Sequence, residues 1–507
     1  MITRIELGEI FGPIYSVSAS EVMDFKMYLD GKWISLEQRL DIRSPINNEL
    51  VATIPRASNT EAGKAVESAY DHRNTIRTIP AVEKIEIFER TRESVLENME
   101  SFVSVLTLEA GKPISNAKGE VKATAERLKL TPEEYGKIRG EHIPGDWSEE
   151  TIGTSADVLR EPLGVVLAIT PFNYPLYITA TKVIPALLAG NSVVVKPSSR
   201  DPLSFLMFTR ILEVAGIPAG TLNVVTGTGK LGEHLAGHEK VNMLTFTGST
   251  EIGRKLASIA GMKKLHMELG GKGCAIVLND ADLDLASKET VKGALSFSGQ
   301  RCDAVSRVLV EEKVIEAFLE KVLREVETYR VGDPRDPQVK IGPLIDRHAV
   351  DKVQRLVTDA IDKGARLLTG GRSEDNYYHP TVLCNVPLGA KIMWEETFGP
   401  VIPISQVKDV DEAIDVTNRS RYGLDSCVFT NNLNLARKVA KRLEEGEVTI
   451  NAAPRHGVGY YPFGGNKDSG LGREGIGYSI EEMTRLKTIV HNWKPAKVWS
   501  DIRMQVA

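Results

Sequence analysis

The region 163–278 alternates short apolar runs with longer segments of helical character. The apolar runs are 164-GVVLAIT-170, 192-SVVVKP-197, 221-TLNVVTG-227, 241-VNMLTFTG-248 and 274-CAIVL-278. Buried strands of a parallel sheet have this near-continuous apolar character, and the segments between these runs carry helix signals. The pattern predicts βαβ units and a parallel sheet, with ligands bound beyond the carboxyl ends of the strands.

Three helices are predicted with more definite bounds. Segment 201–216 begins with Asp201 as its cap and a proline at the first helical position. In segment 83–99, apolar residues recur on one face of the predicted helix. Segment 312–327 opens a second α/β block that extends to about Asn451.

Segment 138–161 breaks both patterns, because it is polar, rich in turn residues and only weakly alternating. A surface loop is the simpler interpretation. A hairpin that protrudes from the molecule is the alternative.

The composition narrows the class of protein. A chain of 507 residues predicts two or three domains, and a net charge of -5 argues against a nucleic-acid surface. Four cysteines are too few for a disulfide framework and favour a reducing, cytoplasmic setting. The sequence shows no spacing of histidine and cysteine typical of a metal site, so no bound metal is expected. Its apolar runs are too short for a membrane-spanning helix, and the first 20 residues do not have the composition of a signal peptide. Scarce glutamine beside abundant glutamate, lysine and arginine favours a thermophile as the source.

Three loop residues are candidates for chemistry, and each has a simpler structural interpretation. Cys302, in 297-FSGQRCDAV-305, is a nucleophile or a small residue of the core. Asn173 follows an apolar run and is an oxyanion donor or the residue of an Asx turn. Glu268, beside two glycines, is a general base or a solvated loop charge.

These loops resemble the aldehyde dehydrogenase superfamily. The motifs that carry the resemblance are 171-PFNYP-175, 246-FTGSTEIG-253, 267-MELGGK-272, 299-GQRC-302, 194-VVKPS-198, 395-EETFGP-400 and 462-PFGGNKDSGLGRE-474, in a match that spans about residues 28–487. The segments 299-GQRCDA-304, 161-EPLGVVLAITPFNYPL-176 and 454-PRHGVGYYPFGG-465 are similar to those of archaeal non-phosphorylating glyceraldehyde-3-phosphate dehydrogenases.

The resemblance implies an α/β architecture of three parts. It implies a Rossmann-like dinucleotide-binding domain of residues 1–137 and 162–270 and an α/β catalytic domain of residues 271–475. A small β oligomerisation element would combine residues 138–161 with 476–507, and the segment 486–499 would pair sheet edges between subunits. The family expectation is a homotetramer.

The resemblance also implies the roles of the three loop residues. Cys302 would add to the aldehyde carbon and form a thiohemiacetal, and after hydride transfer a thioester. Asn173 and the backbone N–H of Cys302 would hold the oxyanion. Glu268 would activate water to release the acid. Relatives that transfer the acyl group to coenzyme A usually lack this glutamate, so its presence favours hydrolysis.

The expected substrate is a phosphorylated aldehyde, held by Asn173, Tyr174, Arg301 and Arg455. Arg301 would also lower the pKa of the thiol if Asp303 pointed to the other side of the loop. A further basic residue is expected on the preceding helix. The match to the family is imperfect there; Lys122 and Arg127 are candidates, and a solvated helix face is the simpler interpretation of each.

The implied cofactor is NADP, with NAD also accepted. Ser199 stands where NAD-selective relatives carry an acid, and Arg200 can attract a 2′-phosphate. The implied cofactor-binding residues are Thr170, Phe172, Lys196, Ser198, Ser199, Gly229, Phe246, Thr247, Gly248, Ser249, Gly253, Leu269, Gly270, Glu396 and Phe398.

Three functions are compatible with these residues. The favoured one is the glycolytic oxidation of glyceraldehyde 3-phosphate to 3-phosphoglycerate. The alternative is a semialdehyde dehydrogenase, for instance for succinic semialdehyde, because arginines bind either anion. A non-catalytic structural protein on the same fold is the third, and the presence of Cys302, Glu268 and Asn173 argues against it.

Overall fold

The computed structural model describes residues 7–17, 22–457 and 459–493. Two large sheets dominate these residues. Residues 1–6 and 18–20 of the N-terminal stretch and residues 494–499 of the predicted pairing segment lie outside the described residues.

The first sheet has eight strands, and its five central strands are parallel. From one edge to the other they are Gly470–Leu471, Lys264–Glu268, Met243–Thr247, Val165–Ile169, Ser192–Lys196, Leu222–Val224, Met27–Leu29 and Lys32–Ile34. The first four predicted apolar runs thus lie in the buried centre of this parallel sheet, whereas the fifth, 274–278, forms a strand of the second sheet.

Helices cover both faces of this sheet. They are Asn59–Asp71, Arg73–Thr78, Ala81–Glu97, Met99–Ala110, Ile114–Glu133, Tyr177–Leu188, Leu203–Ala215, Gly229–Gly237 and Thr250–Ala260. The helix predicted over 83–99 is confirmed, although it ends at Glu97 and a second helix begins at Met99.

The predicted cap of the helix Leu203–Ala215 is wrong. Asp201 makes no cap hydrogen bond, and Pro202 occupies the cap position. The buried carboxylate of Glu109 accepts instead from the backbone N–H groups of Leu203 and Ser204, at 2.7 Å and 2.9 Å. A residue distant in sequence therefore satisfies the first amides of this helix.

The second sheet has seven strands, and all are parallel except the first. In order they are Arg366–Thr369, Thr381–Cys384, Val401–Val407, Val305–Glu311, Gly273–Val277, Asp425–Phe429 and Glu447–Ile450. The associated helices are Leu283–Leu295, Ile315–Glu327, Arg347–Asp362, Val410–Asn418 and Leu433–Arg442, whereas the helix Ile476–Glu482 packs against the helices Ile114–Glu133 and Tyr177–Leu188. Residues 312–314 form a 3₁₀ turn ahead of the helix predicted over 312–327.

A third, antiparallel sheet contains the polar segment 138–161. Its strands are Thr484–Asn492, Thr154–Pro162 and Glu141–Pro144, in that order. The hairpin interpretation of segment 138–161 is therefore confirmed, and the loop interpretation is wrong.

Smaller elements complete the described chain. A four-stranded sheet contains Tyr15–Val17, Met23–Phe25, Leu50–Pro55 and Arg39–Arg43, and two short pairs join Ser373–Glu374 to Tyr377–Tyr378 and Tyr422–Gly423 to Asn466–Lys467. In the described ranges, no helix is both long and apolar enough to cross a membrane.

Candidate active site

Cys302 stands at the junction of two cavities. A groove of about 510 Å³ and a smaller cavity of about 280 Å³ both have Cys302 and Thr247 in their walls. Cys302 is half-buried, whereas the free thiols of Cys274, Cys384 and Cys427 are buried. The space-filling interpretation fits those three cysteines, while Cys302 lies where two bound molecules can meet.

The loop before Cys302 has an unusual backbone. Phe297 and Ser298 both have positive φ, at 48° and 54°, a region that side chains other than glycine rarely adopt. The buried Gln300 side chain accepts a hydrogen bond from the backbone N–H of Ile345 at 2.9 Å. Such strain persists only where the surroundings fix the loop, and it is common at functional sites.

Asn173 is held against this loop by both ends of its amide. Its Nδ2 donates to the backbone carbonyl of Gln300 at 3.1 Å, and its Oδ1 accepts from the backbone N–H of Tyr174 at 3.1 Å. A primary amide has two N–H donors, so one remains for a ligand beside Cys302. The backbone N–H of Cys302 has no protein partner in the described ranges. Two donors are thus available for an oxyanion.

Glu268 is a buried carboxylate in the smaller cavity with Cys302. It is 3% exposed, and neither carboxylate oxygen has a hydrogen-bond partner among the described residues. Burial and, to a smaller extent, the neighbouring Glu474 raise the pKa of Glu268 well above its usual value, against the opposing charge of Lys182. The solvated-loop interpretation of Glu268 is therefore wrong, and its raised pKa suits a general base.

Arg301 and Asp303 do not point to opposite sides of the loop. The guanidinium of Arg301 donates from Nε to Asp303 Oδ1 at 3.0 Å and from Nη2 to Oδ2 at 2.6 Å. The expectation that Arg301 acts alone on the thiol is thereby corrected, because the aspartate neutralises it. Burial and then Asp303 raise the pKa of Cys302 well above its usual value, and Arg301 opposes them only weakly.

The outer part of the smaller cavity carries the residues expected to hold an anion. Tyr174, Arg301 and Arg455 all lie in its wall. Arg455 is exposed, and its guanidinium has no ion pair or hydrogen bond within the part of the chain that the structure describes. Because Arg301 is already paired with Asp303, Arg455 is the more available cation.

Neither candidate for the further basic residue lines this cavity. Lys122 is exposed, whereas Arg127 is fully buried and donates from Nη2 to the carbonyl of Gly475 at 2.9 Å. The solvated-face interpretation is wrong for Arg127, which has a structural role. The preceding helix contributes only uncharged or acidic residues to the wall, namely Ser115, Asn116, Gly119, Glu120 and Ala123.

The larger groove collects the predicted cofactor residues. All of them line it except Gly253 and Gly270. A Cβ on Gly253 would lie 2.3 Å from the Leu269 side chain, so this glycine lets its helix pack closely. The backbone N–H of Gly270 donates to the hydroxyl of Thr250 at 3.3 Å, behind the groove wall.

The groove has the chemistry of a dinucleotide site. The helix Thr250–Ala260 begins at its wall, where unpaired amides favour a pyrophosphate. Lys196 provides a cation whose pKa is lowered to about 8 by burial, and Glu396 provides a carboxylate that accepts from a backbone N–H at 3.2 Å. The hydroxyl of Thr247 is buried without a partner in the described ranges. The residues present therefore fit a nicotinamide dinucleotide.

Residues of a helix in the second half of the chain also line this groove. Arg200 forms an ion pair with Asp346 at 2.6 Å, and His348 and Lys352 follow on the helix Arg347–Asp362. These contacts come from a segment that carries no recognised motif, so the sequence offered no signal for Asp346, His348 or Lys352.

The sequence profile of the aldehyde dehydrogenase family matches residues 33–489. The chain belongs to the aldehyde dehydrogenase family. Its fold is accordingly the aldehyde dehydrogenase fold, as the resemblance implied.

Individual relatives agree with this membership over nearly their whole length. The chain is 40% identical over 468 residues to the NADP-dependent glyceraldehyde-3-phosphate dehydrogenase of Streptococcus equinus, covering 92% of this chain and 98% of that protein. It is 38% identical over 469 residues to the lactaldehyde dehydrogenase of Methanocaldococcus jannaschii, covering 92% and 99%. The crystal structure of the NADP-dependent glyceraldehyde-3-phosphate dehydrogenase of Bacillus halodurans with NADP matches with a TM-score of 0.91 and 39% identity, covering 92% and 99%.

Several further side chains line the smaller cavity of this aldehyde dehydrogenase. His456 packs edge-on against Phe463 with ring centroids 4.4 Å apart, and Glu474 lies in the same wall. All three fall within the late motifs that carry the family resemblance. The motifs could therefore have indicated these residues, although no role was assigned to them. Tyr177, which donates to the carbonyl of Gly457 at 3.0 Å, lies outside those motifs.

Proposed function

We propose that this aldehyde dehydrogenase oxidises glyceraldehyde 3-phosphate to 3-phosphoglycerate with NADP. The observation that carries the proposal is the position of Cys302 between the groove that Asn173 lines and the smaller cavity that Glu268 and the unpaired Arg455 line. The similarity to two glyceraldehyde-3-phosphate dehydrogenases supports the substrate.

The geometry suits thiol chemistry followed by hydrolysis. The Cys302 thiol gives its proton to solvent as the sulfur attacks the aldehyde carbon, and the carbonyl oxygen becomes an oxyanion within reach of the free Asn173 N–H and the Cys302 backbone N–H. A nicotinamide dinucleotide in the groove supplies the hydride acceptor that makes the oxidation possible. Glu268 then takes a proton from water, the hydroxide attacks the thioester carbon, and the Cys302 thiol is released with the acid.

NADP is the proposed cofactor, with NAD also accepted. Lys196, Ser199 and Arg200 line the groove, and no acidic side chain stands at position 199 to repel a 2′-phosphate. Glu396 and the start of the helix Thr250–Ala260 would hold a ribose and the pyrophosphate. NADP in the Bacillus halodurans relative supports this preference.

A substrate without a phosphate is the second candidate, and a specific observation favours it. The phosphate of glyceraldehyde 3-phosphate would meet Arg455 and an Arg301 already neutralised by Asp303, with no basic residue from the preceding helix. Such a site also fits a less charged aldehyde, such as the substrate named for the Methanocaldococcus jannaschii relative. A carboxylate-bearing semialdehyde, for instance succinic semialdehyde, would use the same arginines.

Assembly through the three-stranded sheet is part of the proposal. Its strands expose apolar side chains to solvent, including Leu486, Ile489 and Val490. Exposed apolar edges of this kind are covered in stable proteins. We infer a homotetramer built on this element, with the dinucleotide-binding and catalytic domains divided near residue 270.

A comparison of substrates tests the proposed function. We expect kcat/KM with NADP to be highest for glyceraldehyde 3-phosphate, followed by lactaldehyde and succinic semialdehyde.

Arg455→Gln should lower kcat/KM for the phosphorylated aldehyde at least tenfold, roughly the value of one charge-assisted contact, and leave kcat/KM for lactaldehyde within about twofold. Arg437→Gln, on an exposed helix face, is the matched control. A higher value for lactaldehyde, or equal losses for both substrates, would exclude the phosphorylated substrate, and no oxidation of any aldehyde would favour the non-catalytic alternative.

A further inference from the structure

A fully buried lysine joins the two loops that carry the chemistry. Lys112 follows the helix Met99–Ala110 and is 0% exposed. Its ammonium donates to the backbone carbonyl of Asn173 at 2.7 Å and forms an ion pair with the buried carboxylate of Glu120. Lys112 therefore contacts the asparagine loop directly but does not line either cavity.

The same ammonium contacts the loop of the nucleophile through aromatic rings. It lies 3.9 Å from the centroid of the Tyr174 ring and 4.4 Å from that of Phe297. These two rings meet edge-on at 5.8 Å. Phe297 is the first of the positive-φ residues that lead to Cys302. A cation removed from water is attracted more strongly to an aromatic face than one at the surface, so this junction resists displacement.

Glu120 connects the pair to the helix that follows the asparagine loop. The helix Tyr177–Leu188 has no side-chain cap of its own, since Leu176 occupies the cap position. The Oε1 of Glu120 accepts instead from the backbone N–H groups of Leu176 at 3.0 Å and Tyr177 at 3.1 Å. The carboxylate also sits where the helix dipole favours negative charge.

Burial makes this arrangement costly unless it is fully paired. Taking a lysine and a glutamate out of water costs several kcal/mol per ion, and only close partners offset that cost. Two apolar residues of similar size would pack these helices together equally well. What the ion pair adds is a fixed point between Asn173 and the loop that ends at Cys302.

We propose that Lys112 and Glu120 are positioning residues that set the distance between the Asn173 amide and the Cys302 sulfur. Lys112 lines neither cavity, and Glu120, although it reaches the wall of the smaller one, is engaged by the Lys112 ammonium and by two helix amides. The proposal rests on the proposed function, because it assumes that the Asn173 amide holds the oxyanion. A misplacement of a catalytic group by about 1 Å can cost about 100-fold in rate, which is the scale of the expected effect.

The test replaces both charges together, so that no unpaired ion remains. In Lys112→Met with Glu120→Gln, the new glutamine oxygen can still accept from the helix amides, while the contact with the Asn173 carbonyl is lost. Lys84→Met is the matched control, because Lys84 is also buried and donates only to the carbonyl of Leu188, at 3.4 Å. The readouts are the single-turnover rate of cofactor reduction, the affinity for cofactor and the rate at which iodoacetamide alkylates Cys302.

We expect the double variant to reduce the single-turnover rate about 10- to 100-fold while the alkylation rate and cofactor affinity stay within about twofold. In an Asn173→Ala background the same two substitutions should cost nothing further, because they act through that amide. A full additive loss in that background, or an equal loss in Lys84→Met, would overturn the proposal. Asn173→Ala alone at wild-type rate would instead refute the proposed oxyanion role.

A gentler substitution covers the case in which the double variant does not fold. Phe297→Leu removes one ring beneath the ammonium and leaves the ion pair intact. It should lower the single-turnover rate severalfold in the wild-type background and leave the rate of Asn173→Ala unchanged. An effect of equal size in both backgrounds would contradict a role through Asn173.

Discussion

The carboxylate of Asp303 adds to burial in raising the pKa of the Cys302 thiol, and Asp303→Asn should lower that pKa. The aspartate is buried beside Cys302, it engages Arg301 through two hydrogen bonds, and after burial it is the largest cause of the raised pKa of Cys302. An asparagine keeps the shape and one acceptor for the guanidinium but removes the negative charge. Arg301 then acts on the sulfur without its adjacent counter-charge, opposed only by burial and by the charges of Asp425 and Glu268.

The size of the effect follows from the position of the charge. Adjacent residues keep the Asp303 carboxylate within about 10 Å of the sulfur, where one unit charge at an effective dielectric of about 20 contributes at least about 1.7 kcal/mol. We therefore expect the pKa of Cys302 to fall by roughly one to two pH units. The freed guanidinium should also bind an anionic aldehyde more tightly.

The assay is the pH dependence of Cys302 alkylation by iodoacetamide, with the modified peptide identified by mass spectrometry. The midpoint of the rate profile should move to lower pH in Asp303→Asn. Asp333→Asn is the control, because Asp333 accepts from Nε and Nη2 of Arg335 in the same fork but lines neither cavity. An unchanged or higher midpoint in Asp303→Asn would refute the electrostatic reasoning.

Three further outcomes are expected. Because the pKa of Glu268 is raised above that of a free glutamate, its base form grows as pH rises through the neutral range, so thioester hydrolysis should accelerate with increasing pH. Glu268→Gln should slow hydrolysis at least about 100-fold and flatten that profile, measured by quenched-flow, and a retained slope would point to another base. Ser199→Glu should weaken NADP binding at least tenfold and leave NAD binding almost unchanged, measured by fluorescence titration. Equal losses of affinity for both cofactors would show that residue 199 does not contact the 2′-phosphate. Val490→Asp, at a position 66% exposed on the three-stranded sheet, should shift the protein to smaller assemblies in light scattering, and an unchanged mass would exclude this strand from the interface.

Elements with a local signal were predictable from the sequence. The five apolar runs form strands of the two sheets, because an apolar run bounded by turns has few alternatives to a buried parallel strand. Cys302, Asn173 and Glu268 were predicted from their motifs, and the structure brings all three to one site.

Interactions between residues distant in sequence were not predictable. The cap of the helix Leu203–Ala215 comes from Glu109, not from the adjacent Asp201, and no local pattern indicates this. The pairing of Arg301 with Asp303 depends on side-chain directions within a loop whose backbone takes rare positive φ values. The burial of Arg127 follows from packing against residues about 350 positions later, as its hydrogen bond to Gly475 shows.

The central claim is that the Cys302 sulfur carries the acyl group of the substrate during turnover. Glu268→Gln, mixed with NADP and glyceraldehyde 3-phosphate and quenched in acid, should show a burst of reduced cofactor and an equal amount of acyl mass on the peptide that contains Cys302. Reduced cofactor formed with Cys302 unmodified would contradict the account.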